Sequence, residues 1–246
     1  IKKHKGKWVI KQDGHLSFLN YVGFMDNGED VISVLENYKN CKDVKTVNLQ
    51  EKMDGIEIGV ARYFNGNDWV GPIEFNIEHK ALHNENLGPK TGEMGTVIWY
   101  EDNEENKIFQ KTLSKLKPYL KFINFKGDVD IDCFINENNI FPVEATMRFG
   151  CPSSQLQAEI HLSPWNEFLM AVAKGEKYDL KYKKGIGIVV SVSIPPFPYK
   201  IIPWEYYMKG AEIFFKEKLT EKEIDKIHFE EVSFKNGKYY VAGNNG

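Results

Sequence analysis

The sequence predicts an α+β fold, and three observations carry that expectation. From Gly127 to Pro152, GDVDIDCFINENNIFPVEATMRFGCP, two runs alternate polar and apolar residues at the period of a strand. Elsewhere apolar residues recur at helical spacing, as in Val31, Val34, Leu35 and Tyr38, so helices are interleaved with strands. After Tyr178 the chain turns to an apolar strand, a proline-broken stretch and several short strands.

In chain order, KWVIKQDG predicts a short buried strand of Trp8, Val9 and Ile10 that brings Lys11 to its end. Residues 14–27 lack periodicity and read as a loop, after which Asp30 is placed to cap a helix. VKTVNLQ is a second strand. Asp54 and Gly55 then make a turn into a strand in which Ile56, Ile58 and Val60 alternate with Glu57 and Gly59. From Trp69 to Tyr100 apolar strands flank a long loop, whose GPKTGEMG stretch holds three glycines. Glycines there admit close backbone approach and offer N–H groups to an anion; a surface loop without ligand fits the same composition. Phe109, Leu113, Leu116 and Leu120 mark a helix, and Pro164 opens another, carrying Trp165, Phe168, Leu169 and Val172, with Gly175 at its end. IGIVVSVSI reads as a strand buried on both faces, PPFPYKIIP excludes regular structure, AEIFF and HFEEVSF are short strands, and KNGKYYVAG is a hairpin turning on Asn236 and Gly237.

Composition narrows the function classes. The 246 residues can bury a substantial core as one large domain or as two to three lobes. A net charge of -3, with basic residues scattered among acidic ones, lacks the footprint of a nucleic-acid binder. No apolar run approaches a membrane span, and no stretch reads as a secretory leader. Three scattered cysteines, Cys41, Cys133 and Cys151, make neither a disulfide framework nor a zinc site, which points to the cytoplasm. The chain opens on Ile1 rather than Met, so residues upstream are expected to have been removed or left out.

The chemistry-bearing residues gather in the acidic hairpin. Asp130 and Asp132 share one face of the first strand, and Glu144 and Thr146 share one face of the second. Pairing the strands brings Asp132, Glu144 and Thr146 together, an oxygen-only set suited to Mg²⁺ or Mn²⁺ bridging nucleotide phosphates. A half-exposed hairpin with a solvated polar face shows the same alternation, so spacing alone leaves both readings open.

Three segments carry a resemblance. HKALHNENLGPKTGEMG resembles the substrate loop of the phosphoribosylamine–glycine ligase family, His-Lys, a variable acidic stretch, then Gly-Pro-Asn-Thr-Gly-Gly-Met-Gly. VEATMRFGCPSSQ resembles the family's Ile-Glu-Phe-Asn-Ala-Arg-Phe-Gly-Asp-Pro-Glu-Thr-Gln, and VIKQDG its Val-Lys-Ala-Asp-Gly. In order and spacing these cover most of the chain. The resemblance implies an ATP-grasp fold, two α+β lobes that hold ATP between them, with a small β-rich C-terminal domain. It divides the chain at 1–58, 59–178 and 179–246.

It also implies roles. Lys11 would contact ATP phosphates; Gln50, Glu51 and Met53 would meet adenine, and Glu57 the ribose hydroxyls. Glu144 matches the family's metal-binding glutamate, Thr146 stands at its metal-binding asparagine, and Asp132 matches an aspartate that related ATP-grasp ligases use as a further ligand. Arg148 and Lys80 would be catalytic, Arg148 by holding a phosphate or acyl-phosphate oxygen. Substrate would meet His79, Lys80, Gly88, Pro89, Lys90, Thr91, Gly92, Met94 and Gly95.

The implied reaction is ATP-dependent ligation of glycine to phosphoribosylamine in purine biosynthesis, with Mg²⁺ or Mn²⁺ as metal. The alternatives are a ligase joining another amino acid to another amine, and a non-catalytic nucleotide-binding subunit. The expected partners are small molecules and a separately supplied N-terminal domain or chain, with neither nucleic acid nor membrane. The chain departs from the family where Cys151 and Ser153 replace Asp and Glu, where Pro195 and Pro196 replace a Gly-Gly pair, and where HLSFLN replaces a glycine-rich phosphate lid.

Overall fold

The computed structural model describes residues 1–12, 20–42, 44, 46–137, 139–199 and 208–243. The described residues form two compact units, one of 1–56 with 134–141 and the other of 57–133 with 142–246. Most of the HLSFLN segment, and the end of the proline-rich stretch, lie outside the described residues.

In the first unit, β1 (Trp8–Gln12) is the middle strand of a three-stranded antiparallel sheet, between β2 (Tyr21–Val22) and β3 (Val47–Glu51). Ile10 is fully buried, and Lys11 pairs in register with Asn48. Helix α1 (Glu29–Tyr38) starts from Gly28 in the left-handed region, φ 71°, and not from an Asp30 cap. Asp30 lies inside the first turn, where Oδ2 accepts from the Phe24 amide at 2.8 Å and from the Tyr21 hydroxyl at 3.2 Å. Its carboxylate serves the incoming loop, which leaves the cap to glycine.

The second unit is built on a six-stranded sheet. The strands are β4 (Ile56–Asn65), β5 (Trp69–Ala81), β6 (Lys90–Glu101), β7 (Lys126–Ile135), β8 (Ile140–Thr146) and β9 (Ile186–Val190), ordered β8-β7-β4-β5-β6-β9. The expected long loop shrinks to residues 82–89, because β5 and β6 run on as a hairpin and the glycine-rich stretch is largely strand. Helix α2 (Lys107–Lys111) and α3 (Leu113–Phe122) replace the one helix expected there. The break falls at Thr112, whose hydroxyl bonds back to the Ile108 carbonyl at 2.7 Å.

Both faces of this sheet are packed. On one, Tyr63 and Val70 meet Phe168 and Val172 of α5 (Trp165–Lys174), while Ile98 meets Leu156 and Ile160 of α4 (Ser153–Ile160). On the other, Phe64, Trp69 and Phe109 pack edge to face. Strand β9 is not buried on both sides as its continuous apolar sequence suggests. It is an edge strand, with Ile186, Ile188 and Val190 about 70% exposed while Gly187 and Val189 turn inward.

The tail forms a second three-stranded sheet, β10 (Glu212–Ile213), β11 (Val232–Lys235) and β12 (Lys238–Val241), in the order β10-β12-β11, with α6 (Glu221–Ile224) between. Its hairpin turns on Asn236 and Gly237, both with positive φ, as a two-residue turn between right-twisted strands requires. Among the described residues no helix is long and apolar enough to cross a membrane.

Candidate functional site

One face of the large sheet changes from apolar to acidic along its length. Alternation sends Asp128, Asp130 and Asp132 of β7 to this face, and register puts Glu74, Asn76 and Glu78 of β5 opposite Tyr100, Ile98 and Thr96 of β6. At the packed end Glu74 is buried and accepts from the Gln157 amide at 2.8 Å. Burial pushes its carboxyl up to about 7, against the hydrogen bonds from Tyr100 and Gln157. Burial also raises Asp128 well above the usual range, with Glu74 and Asp130 adding repulsion.

In the middle of the face, Asn76 donates Nδ2 to Asp130 Oδ2 at 2.9 Å. The link crosses β4 at Gly59, where an added Cβ would lie 2.2 Å from Asn76 Oδ1. Only glycine leaves that passage open. Asp130 and Asp132 are both pushed up to about 7, chiefly by burial and then by neighbouring carboxylates. Oδ1 of Asp130 is buried and accepts no hydrogen bond among the described residues.

At the far end, Lys80 Nζ reaches Glu57 at 2.8 Å and Glu78 at 3.0 Å. Burial works against its charge, but the two carboxylates overcome that and hold the ammonium well above its ordinary range. Opposite Lys80 the β5–β6 register shifts, so that residues 91–94 bulge where β5 has Lys80 alone. Thr91 Oγ1 bonds to the Lys80 carbonyl at 3.0 Å, and the bulge brings Glu93 into the field of Glu78, Asp130 and Asp132. Glu93 is pushed up to about 8 by burial first and by those carboxylates next, with Lys80 opposing.

The structure therefore gathers some of the expected residues and leaves others apart. Lys80, Glu57 and Asp132 belong to one electrostatic cluster, and Glu57 is tied to Lys80 in an ion pair. Glu144 on β8 is exposed and Thr146 half-buried, while Arg148 is exposed and donates Nη1 to the Phe149 carbonyl at 2.8 Å. His79 shares its Nε2 with the His83 carbonyl at 2.9 Å. Gly88, Pro89 and Lys90 lie at the hairpin turn, with Gly88 at φ 82°. Gly92 is open, Met94 half-buried, and Gly95 so close to β9 that a Cβ would meet the Val189 carbonyl at 2.8 Å. Lys11, Gln50, Glu51 and Met53 fall in the first unit.

Asn76, Glu78 and Glu93 were not among the expected site residues, and Asp130 was expected on the acidic face but given no role. The signal for Glu93 was present in GPKTGEMG, where it stands at the second glycine of the pattern Thr-Gly-Gly-Met-Gly. The donor set fits a hard cation: Asp132, Glu144 and Thr146 offer oxygen only, and Asp130 has a buried oxygen to spare. Among the described residues no three acidic, histidine or cysteine side chains converge as a finished cage.

A large sheet with carboxylates on one face, joined in sequence to a small antiparallel sheet, is the arrangement of the ATP-grasp fold. The structure superposes on the crystal structure of phosphoribosylamine–glycine ligase from Thermotoga maritima with a TM-score of 0.71 and 20% identity, over 98% of this chain and 60% of that one. For N5-carboxyaminoimidazole ribonucleotide synthetase from Thermus thermophilus the TM-score is 0.50 at 12% identity, over 78% and 48% of the two chains. In sequence the chain is similar to phosphoribosylamine–glycine ligases, 24% identical to that of Clostridium acetobutylicum over 99% of this chain and 23% to that of Listeria innocua over 96%. It spans 58% and 56% of the length of those two relatives. No family model matches it.

Proposed function

We propose that the chain is an ATP-dependent carboxylate–amine ligase that forms a C–N bond through an acyl phosphate, in the manner of phosphoribosylamine–glycine ligases. The observation that carries this reading is the likeness to those enzymes along nearly the whole chain, with the buried carboxylates of β7 on the fold they share. In this reading Lys11 neutralises ATP phosphates, Gln50, Glu51 and Met53 meet adenine, and Glu57 the ribose. Asp132, Glu144 and Thr146 hold Mg²⁺ or Mn²⁺, and the metal when bound offsets the charge that develops on the transferred phosphoryl group.

The chain's own residues do the rest. Arg148, exposed beyond β8, takes phosphate oxygens. Lys80, fixed between Glu57 and Glu78, keeps its proton at every physiological pH and serves as a permanent positive charge within the acidic face. His79, Gly88, Pro89, Lys90, Thr91, Gly92, Met94 and Gly95 border the substrate. Withholding water from the acyl phosphate protects it from hydrolysis, the competing loss.

The test is ADP release with Mg-ATP in the presence of glycine and phosphoribosylamine, of other amino acids and amines, and of no acceptor. Release that requires glycine and phosphoribosylamine supports a place in purine biosynthesis. Release with another pair makes the chain a ligase of different substrates, a reading favoured by Thr146 and Cys151 standing where the family has asparagine and aspartate. Nucleotide binding without turnover under any pair leaves only a nucleotide-binding subunit.

A further inference from the structure

A cavity that the ligase reading leaves unused lies at the other end of the large sheet. It encloses about 430 Å³ beside the β4–β5 turn, bordered by Arg62, Trp69, Glu104, Lys117, Lys177 and Tyr178, all within the second unit. That volume lies in the range of small-molecule sites. Glu57 and Lys80 stand at the opposite ends of the same two strands, on the order of 30 Å away along β5 at the rise of an extended chain.

The three cations of the cavity are in different circumstances. Lys117 is taken, because its Nζ bonds to Asp68 Oδ1, which also accepts from the Trp69 amide. Lys177 is exposed, and its ammonium has no partner among the described residues. Arg62 is built into the fold. The β4–β5 register shifts so that residues 71–73 bulge opposite Arg62 alone, and Arg62 Nε donates to the Gly71 carbonyl at 2.8 Å. Its guanidinium carbon lies 5.5 Å from the centre of the Phe109 ring, and its side chain is only 10% exposed.

Backbone and ring thus hold the guanidinium and leave its far edge without a bond. Nη1 is buried and has no hydrogen-bond acceptor among the described residues, although Glu104 Oε1 comes to 2.7 Å. The two charges attract, but the oxygen is out of line with the N–H groups. A buried donor without an acceptor is rare in a folded protein. Glu104 is 57% exposed, so its carboxylate can return to water at small cost. Its departure would leave Arg62 and Lys177 as two unmatched positive charges, and the planar guanidinium fork fits a carboxylate or a phosphate through parallel N–H bonds.

We propose that this cavity is a second ligand site, specific for a small organic oxyanion, a phosphate monoester or a carboxylate. The anion takes the edge of Arg62 in place of Glu104, Lys177 meets its remaining charge, and Trp69 and Tyr178 border its organic part. The site owes nothing to the ligase reading and stands apart from the carboxylates of β7.

The experiment is calorimetric titration of the whole chain with phenyl phosphate, benzoate, inorganic phosphate and, as the neutral control, phenol. Phenyl phosphate and benzoate are expected to bind at least about tenfold more tightly than phenol, the size of one charge-assisted hydrogen bond. Tighter phenyl phosphate assigns the site to phosphate monoesters, and tighter benzoate to carboxylates. Glu104→Gln should tighten both anions about threefold by removing the competing charge, and Lys177→Ala should weaken both by a similar factor. Both side chains are exposed, so the melting temperature should hold. Arg62→Met should abolish binding; should that variant fail to fold, the two exposed positions decide. Saturating Mg-ADP should leave every constant unchanged. Phenol binding as tightly as the anions, inorganic phosphate binding more tightly than phenyl phosphate, either exposed variant leaving both anions unmoved, or competition by Mg-ADP would each overturn the proposal.

Discussion

Strands β7 and β8 are neighbours with the same alternating pattern, and their side chains end in opposite circumstances. On β7, Val129, Ile131 and Cys133 are buried on one face, and on the other Asp128 is buried and Asp130 and Asp132 are half-buried, all three with carboxyls raised chiefly by burial. On β8, Glu144 and Ala145 are exposed and no residue is fully buried. The cause is position in the sheet: β7 lies inside the six-stranded order and β8 at its edge. A carboxylate withdrawn from water must be protonated, paired or bound to a cation, whereas an exposed one keeps contact with solvent. One strand stores electrostatic stress and the other leaves its carboxylate exposed.

The comparison would break most sharply at Glu144. Glu144→Gln is expected to lower metal-dependent ADP release by a factor on the order of 100 or more, with the melting temperature unchanged because the side chain is exposed. Unchanged turnover would remove β8 from the site.

The next effect in size tests the interior. Glu74 is buried with its carboxyl raised to about 7, so the folded state holds the proton after the unfolded chain has released it. Stability is therefore greatest below the unfolded value of 4.5 and is lost as pH rises through about 7, by roughly 3 kcal/mol in total. Urea titrations at pH 4.5 and pH 8 without metal measure it, and Glu74→Gln should flatten the difference. A slope that persists in the variant would move the stress to Asp128 and Asp130.

A smaller effect is expected at Thr146. A hydroxyl is a weaker ligand for Mg²⁺ than an amide oxygen, so Thr146→Asn should shift the Mg²⁺ activation curve to lower concentration by a few-fold. An unmoved curve would show that Thr146 only packs β8. The smallest effect belongs to Lys90→Ala. Because Lys90 is exposed, the change should alter the apparent constants for acceptor and ATP by less than about twofold. A large increase for a phosphorylated acceptor alone would make Lys90 an anion site.

What the sequence made legible follows the same division. Alternation alone put Asp130 and Asp132 on one face, because a strand's period is indifferent to its place in the sheet. Burial is not so indifferent. The run IGIVV predicts a strand buried on both faces, yet β9 is an edge strand whose isoleucines face outward, since strand order is set by contacts distant in sequence. The place of Glu93 is hidden in the sequence for a related reason: GPKTGEMG has the composition of a loop, and only pairing with β5 makes it a bulged strand. The roles of Lys11, Gln50, Glu51 and Met53 came from resemblance alone, as no local pattern distinguishes them from ordinary residues of a small sheet.

Gly59 has a mechanical consequence. Main-chain hydrogen bonds join each strand only to its neighbours, so β5 and β7 have no direct ladder between them. The missing side chain at Gly59 lets Asn76 clasp Asp130 over the top of β4, which makes a cross-brace between two strands that are not neighbours in the sheet. Sliding β5 along β7 by one residue would break that clasp and turn Lys80 and Glu93 away from Asp132. Gly59→Ala is thus a lesion of alignment more than of packing: the sheet would keep its hydrogen bonds and lose the fixed spacing of its charges.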